Sequence, residues 1–488
     1  MRTNKFIKIF YHLNAAEKIA FRKWVHSPAF NKQEALVRLF DYLYRLDPEK
    51  EAHLLDRTVL FARAFPEASF HLPQLRHLLS DLMQLMESFL VYRYRQQKDL
   101  DFKLDLAAAY QTMKLEQPAK EALVAAKHLF DQQILHGMEH IEQAYRLQWM
   151  TYSLQEQGDR AEAQNLQALN DSFDMAYLAG KLKHACRVLS YQGMFSRQYD
   201  TGLLNKVLEY LEGKPELLKE PALGLYFYYY QAMTRFDQAG VAFAKFKQYL
   251  FDFQPVFSIS ETKDLYILAI NYCIKRLNTE DKAFYLQETF DLYKGALEQG
   301  VLMEKGQLSP FTFSNIVAVA LALGLEDWTD HFITGYSPKL DEKWRKAQTN
   351  YNRSRWYFQQ KAYRKAADLL VADDFDDLHL NLSAKVLLLK VYYHLEELQL
   401  LDHLIRRFKT FLSRKKVMNY HQENYHNILR FMQRLVDLNP YSEKDKNKLR
   451  HEVEKTELLT EKAWFLEQLG NGDSRIRRFE DTRPPNNQ

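Results

Sequence analysis

Almost every segment of this chain places its apolar residues at a helical spacing, and only short polar breaks separate the segments. The longest example carries Leu75, Leu78, Leu79, Leu82, Leu85, Met86, Phe89 and Leu90 on one stripe of a helix expected from Pro73 to Gln97. No βαβ alternation and no series of β-branched runs interrupts the pattern. Gly (15) and Pro (13) are scarce in 488 residues, which disfavours many strands joined by tight turns. Helices of roughly 12 to 20 residues joined by loops of a few residues must pack as antiparallel neighbours. The expectation is an all-α chain.

Local signals divide it. Asn14-x-x-Glu17 and Asn31-x-x-Glu34 both have the form of a capping box, in which the two side chains satisfy helix N–H groups reciprocally. Between them "HSPAFN" stops one helix before Pro28 and restarts at Asn31. Residues 1–100 therefore read as a small helical N-terminal domain with its own core. Residues 101–469 read as an array of helices, broken at "KLEQPAK", "EQGDR", "TRFDQ", "LNTED", "LGLED", "QQKAY" and "HLEEL". Residues 470–488 have no apolar period and are expected to be a disordered tail.

A net charge of only +4 supplies no global field that compels binding to nucleic acid or an acidic membrane. Cys186 and Cys273 match no CxxC or metal spacing, and a large chain this poor in thiols fits a reducing compartment. Lys5 and Lys8 interrupt any apolar run at the N-terminus, so no signal peptide is expected. No uncharged apolar stretch approaches ~18 residues, so no membrane span is expected either. These readings place the chain in the cytoplasm.

Candidate chemistry is thin. His136 and His140 could share a helix face, but Glu139 is misplaced for HExxH and no third ligand is evident. "DDFDDLH" (Asp373 to His379) lacks the central Gly and terminal Glu of a calcium loop and reads as an acidic loop providing an N-cap. No Gly-rich phosphate loop, GxSxG elbow or paired acid-base motif occurs. The chain is thus expected to be no enzyme and to use no cofactor and no metal. "YFYYY" (Tyr226 to Tyr230) puts aromatics around a whole helix, as a central helix touching several neighbours would need. "HLIRRFKTFLSRKK" (His403 to Lys416) is the strongest positive patch, with Arg406, Lys409 and Lys416 near one stripe.

In "RWYFQQKAYRKAADLL" the apolar rhythm slips at Gln360-Lys361, and Ala366 sits where a larger residue would bury more surface. A hairpin explains both: the slip is its turn, and helices ~8–10 Å apart leave room only for a small residue at their closest crossing. "EQGDRAEAQNL" and "TRFDQAGVAF" repeat the design. These units resemble tetratricopeptide repeats. Ser354, Tyr357, Tyr363, Ala366 and Leu370 fall on that family's small, aromatic, turn-aromatic, alanine and large-apolar positions. Gly158, Asp159 and Ala163 match in a second unit, and Tyr230, Phe236, Ala239 and Phe243 in a third. A fourth unit holds Tyr392 but puts Leu401 at the alanine position, and both spacings from the preceding unit are 35 residues. Most units lack the family's tryptophan and second glycine, and the 127 residues from Ala239 to Ala366 are no whole number of 34-residue repeats. The repeats are therefore degenerate and uneven. The whole layout also resembles a family of uncharacterised bacterial helical-repeat proteins, through "SPAFNK", "LRHLLSDLMQLMESFLV", "YFQQKAYRKAADLL" and "EKAWFLEQL".

The resemblance implies an α-α superhelix and a concave groove lined by fixed offsets in the first helix of each hairpin. Those offsets select Tyr145, Gln148, Tyr152 and Gln155, then Tyr228 and Gln231. Further on they select Gln348, Tyr351, Arg355 and Phe358, and then Lys390 and Tyr393. Tyrosines mixed with amides and ending in two cations suit a protein or peptide partner with a carboxylate. A nucleic-acid-binding solenoid using the basic patch is the alternative.

Overall fold

The computed structural model describes residues 4–47, 51–156, 165–195, 198–235, 239–277, 281–373, 375, 377–414, 419–439 and 441–470. Gly158, Asp159, Ala163, Phe236, Lys416 and the expected tail beyond residue 470 lie outside them. Among the described residues the chain is all-α: 23 α-helices and one two-stranded hairpin, Met303–Glu304 paired with Gln307–Leu308. No helix among them is long and apolar enough to cross a membrane.

The chain divides into two compact units, residues 1–230 with 251–257, and residues 231–250 with 258–488. The first begins with α1 (Lys5–His12), α2 (Ala15–His26), α3 (Glu34–Arg45), α4 (Arg57–Ala64) and α5 (Leu72–Gln96). These enclose a core of their own in which Phe10, Phe21 and Phe40 pack edge-on or tilted. The stripe on α5 is as expected: six of its members are buried, and Leu85 and Leu90 are partly so. The Asn14 capping box forms, which satisfies two helix N–H groups at the start of α2. The second one does not. Asn31 accepts from Gln33 N and donates to the Val25 carbonyl, so it closes the turn between α2 and α3 instead of capping the latter.

There follow α6 (Asp99–Thr112), α7 (Glu116–Asp131), α8 (Met138–Glu156), α9 (Leu166–Phe195) and α10 (Leu204–Glu212). Both α11 (Pro221–Thr234) and α12 (Ala239–Phe253) contribute residues to both units. The aromatic run on α11 behaves as a central helix would: Tyr226, Phe227 and Tyr229 are buried, while Tyr228 and Tyr230 are half-buried.

The second unit holds α13 (Ile259–Arg276), α14 (Lys282–Glu298), α15 (Pro310–Ala322), α16 (Glu326–Tyr336), α17 (Glu342–Gln359) and α18 (Tyr363–Val371). It ends with α19 (Leu378–His394), α20 (Leu398–Arg414), α21 (Asn419–Val436), α22 (Glu443–Lys455) and α23 (Lys462–Gly470). Here α15 packs on both α16 and α17, and α17 on both α18 and α19. The first helix of each hairpin (α15, α17, α19) thus touches its own partner and the first helix of the next hairpin, the arrangement of stacked repeats. We call these first helices, together with α21, the A helices.

One turn recurs. Lys361 adopts φ +57°, its N–H bonds to the Phe358 carbonyl, and the Ala362 N–H bonds to that of Tyr357, closing α17 with a Schellman motif. Lys114, Gly324 and Glu396 do the same after α6, α15 and α19. Five residues beyond each left-handed position stand Ala119, Thr329, Ala366 and Leu401, none more than 1% exposed. The slip at Gln360-Lys361 is therefore a hairpin turn, and Ala366 is a packed crossing position. "KLEQPAK" and "LGLED" belong to the same series. Their signal was a turn followed five residues later by a small residue, obscured by Thr at 329 and by lysine at the left-handed position of 114.

Candidate functional site

In the first unit, Tyr145 lies 5.3 Å from the Phe173 ring and lines a shallow pocket with Leu104, Trp149 and Met150. Trp149 is 51% exposed at its edge. Gln148 meets Asn165, the residue before α9: its side-chain and main-chain oxygens accept from Asn165 Nδ2 at 2.7 and 3.0 Å. Tyr152 is half-buried beside Trp149, and Tyr228 stands edge-on to Phe227 at 5.5 Å. Gln231 belongs to the second unit and is buried.

The second unit brings the remaining candidates together. The Arg355 guanidinium lies over the Tyr351 ring, and the Lys390 ammonium lies 5.0 Å from the Phe358 ring and 5.5 Å from that of Trp464. Tyr393 is buried edge-on against the same Trp464. Sequence offsets suggested two cations awaiting an outside carboxylate, and the structure assigns both cations partners within the chain. Lys390 Nζ pairs with Glu461 at 2.8 Å, its side chain only 15% exposed. Arg355 donates to the Ser314 carbonyl and to Asn352 Oδ1.

Arg355 is the edge of a buried polar seam that sequence reasoning missed. Asn352, fully buried, donates to Ser314 Oγ and to both oxygens of Gln348, and Ser314 Oγ donates to Gln348 Oε1 at 2.7 Å. With its amide shared this way, the seam ties α15 to α17 in one register, since slipping either helix would strand a buried amide. Gln348 and Asn352 are four residues apart on one helix face; that spacing was visible, and its partner Ser314 was not.

The segment that supplies Glu461 is gripped along its main chain. It is the non-helical stretch 456–461 between α22 and α23. Asn427 Nδ2 donates to the Leu458 carbonyl at 3.0 Å. Asn424 Oδ1 accepts from Thr460 N at 2.8 Å while its Nδ2 donates to Thr460 Oγ1. A carboxamide can serve donor and acceptor at once, so two asparagines three residues apart on α21 hold this segment by two main-chain groups and the Thr460 hydroxyl. Trp464 then packs among Tyr393, His394 and Phe465. Burial pushes the His394 imidazole down to about 4, with the Lys390 and Lys361 charges adding to the effect.

The other sequence candidates settle simply. His136 and His140 stack on each other at 4.5 Å, His140 donates to Gln133 Oε1, and burial lowers its pKa to about 4. Among the described residues no group of three or more His, Cys, Asp or Glu is placed to hold a metal ion. Asp377 caps α19 by accepting from Leu380 N, which is the role expected of the acidic loop; Asp374 and Asp376 lie outside the described residues. In the basic stretch Arg406 pairs with Asp402 on its own helix, and Lys409 is exposed. No family model matches the chain, and no curated protein and no solved structure matches it either.

Proposed function

We propose that this chain is a non-catalytic helical-repeat adaptor of the tetratricopeptide kind, working in the cytoplasm, that binds a polypeptide partner along its A helices. The observation that carries the reading is the grip on residues 458–461. Asn424 and Asn427 hold main chain, Lys390 holds a carboxylate, and an aromatic pocket holds Trp464. Those are the three elements by which a groove recognises an extended segment, with main-chain bonds for affinity and side-chain pockets for specificity. The chain applies them to itself at one end of the A-helix row. Tyr351 and Phe358, half-buried on α17, extend the same kind of surface. The small residue five places after each turn supports the repeat assignment, and two free, buried cysteines suit a reducing compartment.

A photo-crosslinking amino acid at Tyr351, compared with one at the exposed Lys444 on α22, tests this in cells. The expected result is polypeptide adducts at 351 that resist nuclease and are missing at 444. Adducts equal at both positions, or adducts removed by nuclease, would sink the reading.

A further inference from the structure

A different face of α19 meets α18 and α20 around a groove of about 710 Å³. Its floor is apolar: Leu370, Ala384 and Leu388 are buried, while Val371 and Leu400 at the rim are 63% and 47% exposed. Exposed aliphatic side chains beside a concavity are the feature that a soluble surface leaves open only sparingly. One wall is basic. His403, Arg407, Thr410 and Arg414 follow one another at intervals of four, three and four residues, a single stripe down α20. Arg407 and Arg414 are two turns apart, about 10 Å along the axis.

These two guanidiniums differ from that of their neighbour Arg406. Among the described residues neither has an ion-pair or hydrogen-bond partner, whereas Arg406 beside them is paired with Asp402. Lys385 adds an ammonium from α19, 2.6 Å from Asn381 Oδ1 and 5.1 Å from the Phe411 ring. Asp373 is the one carboxylate among the described lining residues, and it accepts from Asn350 Nδ2 on α17 at 3.1 Å. The groove therefore presents an excess of positive charge over an apolar floor.

We propose that this groove binds an acidic peptide segment bearing aliphatic side chains. Two of its carboxylates meet Arg407 and Arg414, each through parallel N–H···O bonds that the planar fork of arginine favours. An aliphatic side chain between them covers Val371 and Leu400. Two carboxylates about 10 Å apart on one face correspond to positions i and i+7 of a helix, with the aliphatic residue at i+3 or i+4 between them. Phosphates would also answer the charge, but of the rings lining the groove Phe375 is buried, Tyr392 and Phe411 are half-buried with Lys385 over the Phe411 face, and the His403 imidazole alone is exposed. Single-stranded nucleic acid binds such grooves by stacking bases on exposed rings, so the peptide is favoured. This site uses none of the A-helix residues invoked above and stands independently of them.

The test is fluorescence anisotropy on the full chain with a labelled helical peptide carrying glutamate at i and i+7 and leucine at i+3 and i+4. A matching lysine–leucine peptide and a labelled oligouridylate serve as comparators. The acidic peptide should bind saturably and the lysine peptide should not. Arg407→Glu with Arg414→Glu should weaken binding by roughly tenfold or more. Arg407→Lys with Arg414→Lys should keep most of it, and Val371→Asp should weaken it while leaving the arginines in place. Urea midpoints of the variants should match the parent; Arg407→Gln with Arg414→Gln replaces the charge reversal if they do not. Tyr351→Ala should have no effect on this peptide, which separates failure here from failure of the A-helix reading. Three results would overturn the proposal: no saturable binding of the acidic peptide, loss through Tyr351→Ala but not through the arginines, or oligouridylate binding more tightly through the same arginines.

Discussion

Lys390 and Lys385 stand five residues apart on α19 and face opposite situations. Lys390 lies on the side that packs with α21 and α23, where Glu461 neutralises it and Trp464 and Phe358 cover it. Lys385 lies on the side shared with α18 and α20, in a groove whose arginines outnumber its carboxylates. One side is closed by residues 456–464; on the other, Asn381 holds Lys385, and Arg407 and Arg414 have no partner among the described residues. The difference teaches that a cation's place in a repeat says little about its availability. What counts is whether another part of the chain reaches it.

The strongest way to break this comparison is to empty the closed side. Trp464 is buried against Tyr393 and His394, so Trp464→Ala should cost about 3–5 kcal/mol in urea unfolding. A loss below about 1 kcal/mol, the size of an ordinary surface effect, would show that the segment hardly closes that side at all.

Next comes the packing beneath the open side. Ala366 is fully buried in the cluster that includes Leu370, Leu387 and Leu388. Ala366→Leu should destabilise by about 1–3 kcal/mol through overpacking, while Lys365→Leu, exposed one residue earlier, should change little. Equal effects would remove Ala366 from the helix crossing.

Charge reversal sharpens the contrast directly. Lys390→Glu sets two carboxylates against each other in a half-buried place and should cost about 2 kcal/mol, between the exposed and buried limits for an ion pair. The double change Lys390→Glu with Glu461→Lys should recover part of that. No recovery would mean that the ion pair is not the interaction lost.

A pH experiment reads the same side. His394 is held down to about 4 in the folded chain, chiefly by burial, against an unfolded value near ~6.5. The unfolded chain therefore takes up the proton first. Stability from keeping the ring neutral is fully present above pH ~6.5 and is lost as the pH falls toward 4. The drop in urea midpoint between pH 7 and 5 should be smaller in His394→Phe than in the parent; His140, also near 4, keeps some of it in both. An unchanged drop would place the sensitivity elsewhere. The smallest effect belongs to the open side, where Arg407→Glu with Arg414→Glu should shift stability by no more than about 0.5 kcal/mol. A larger loss would show that those arginines have structural partners after all.

Much of the architecture could be read in advance wherever the cause was local. The α5 stripe, the Asn14 box and the Gln360-Lys361 turn each depend on residues within a few positions of one another, so the pattern is complete in the sequence. Asn31 shows the limit. It has the right spacing for a capping box, yet its amide reaches back to Val25 and closes a turn, because a side chain takes whichever nearby backbone group the chain direction offers. The candidate groove was legible only as a set of offsets. They put Tyr351, Arg355, Phe358 and Lys390 on neighbouring helices, but they also selected the buried Gln231, Gln348 and Tyr393.

By itself the sequence determined that this chain is helical, that its helices pair into hairpins, and that a small residue sits where two of them cross. Periodicity, capping and turn geometry act over a handful of residues, and their signals survive in one dimension. Only the tertiary structure decided which charges are matched. Glu461 reaches Lys390 from 71 residues away and Ser314 meets Gln348 from 34 residues away; a repeat period puts residues on successive helices but does not select which side chains bond. Partners of that kind are chosen by the packing of whole helices, which is where the closed side of α19 and its open side part company.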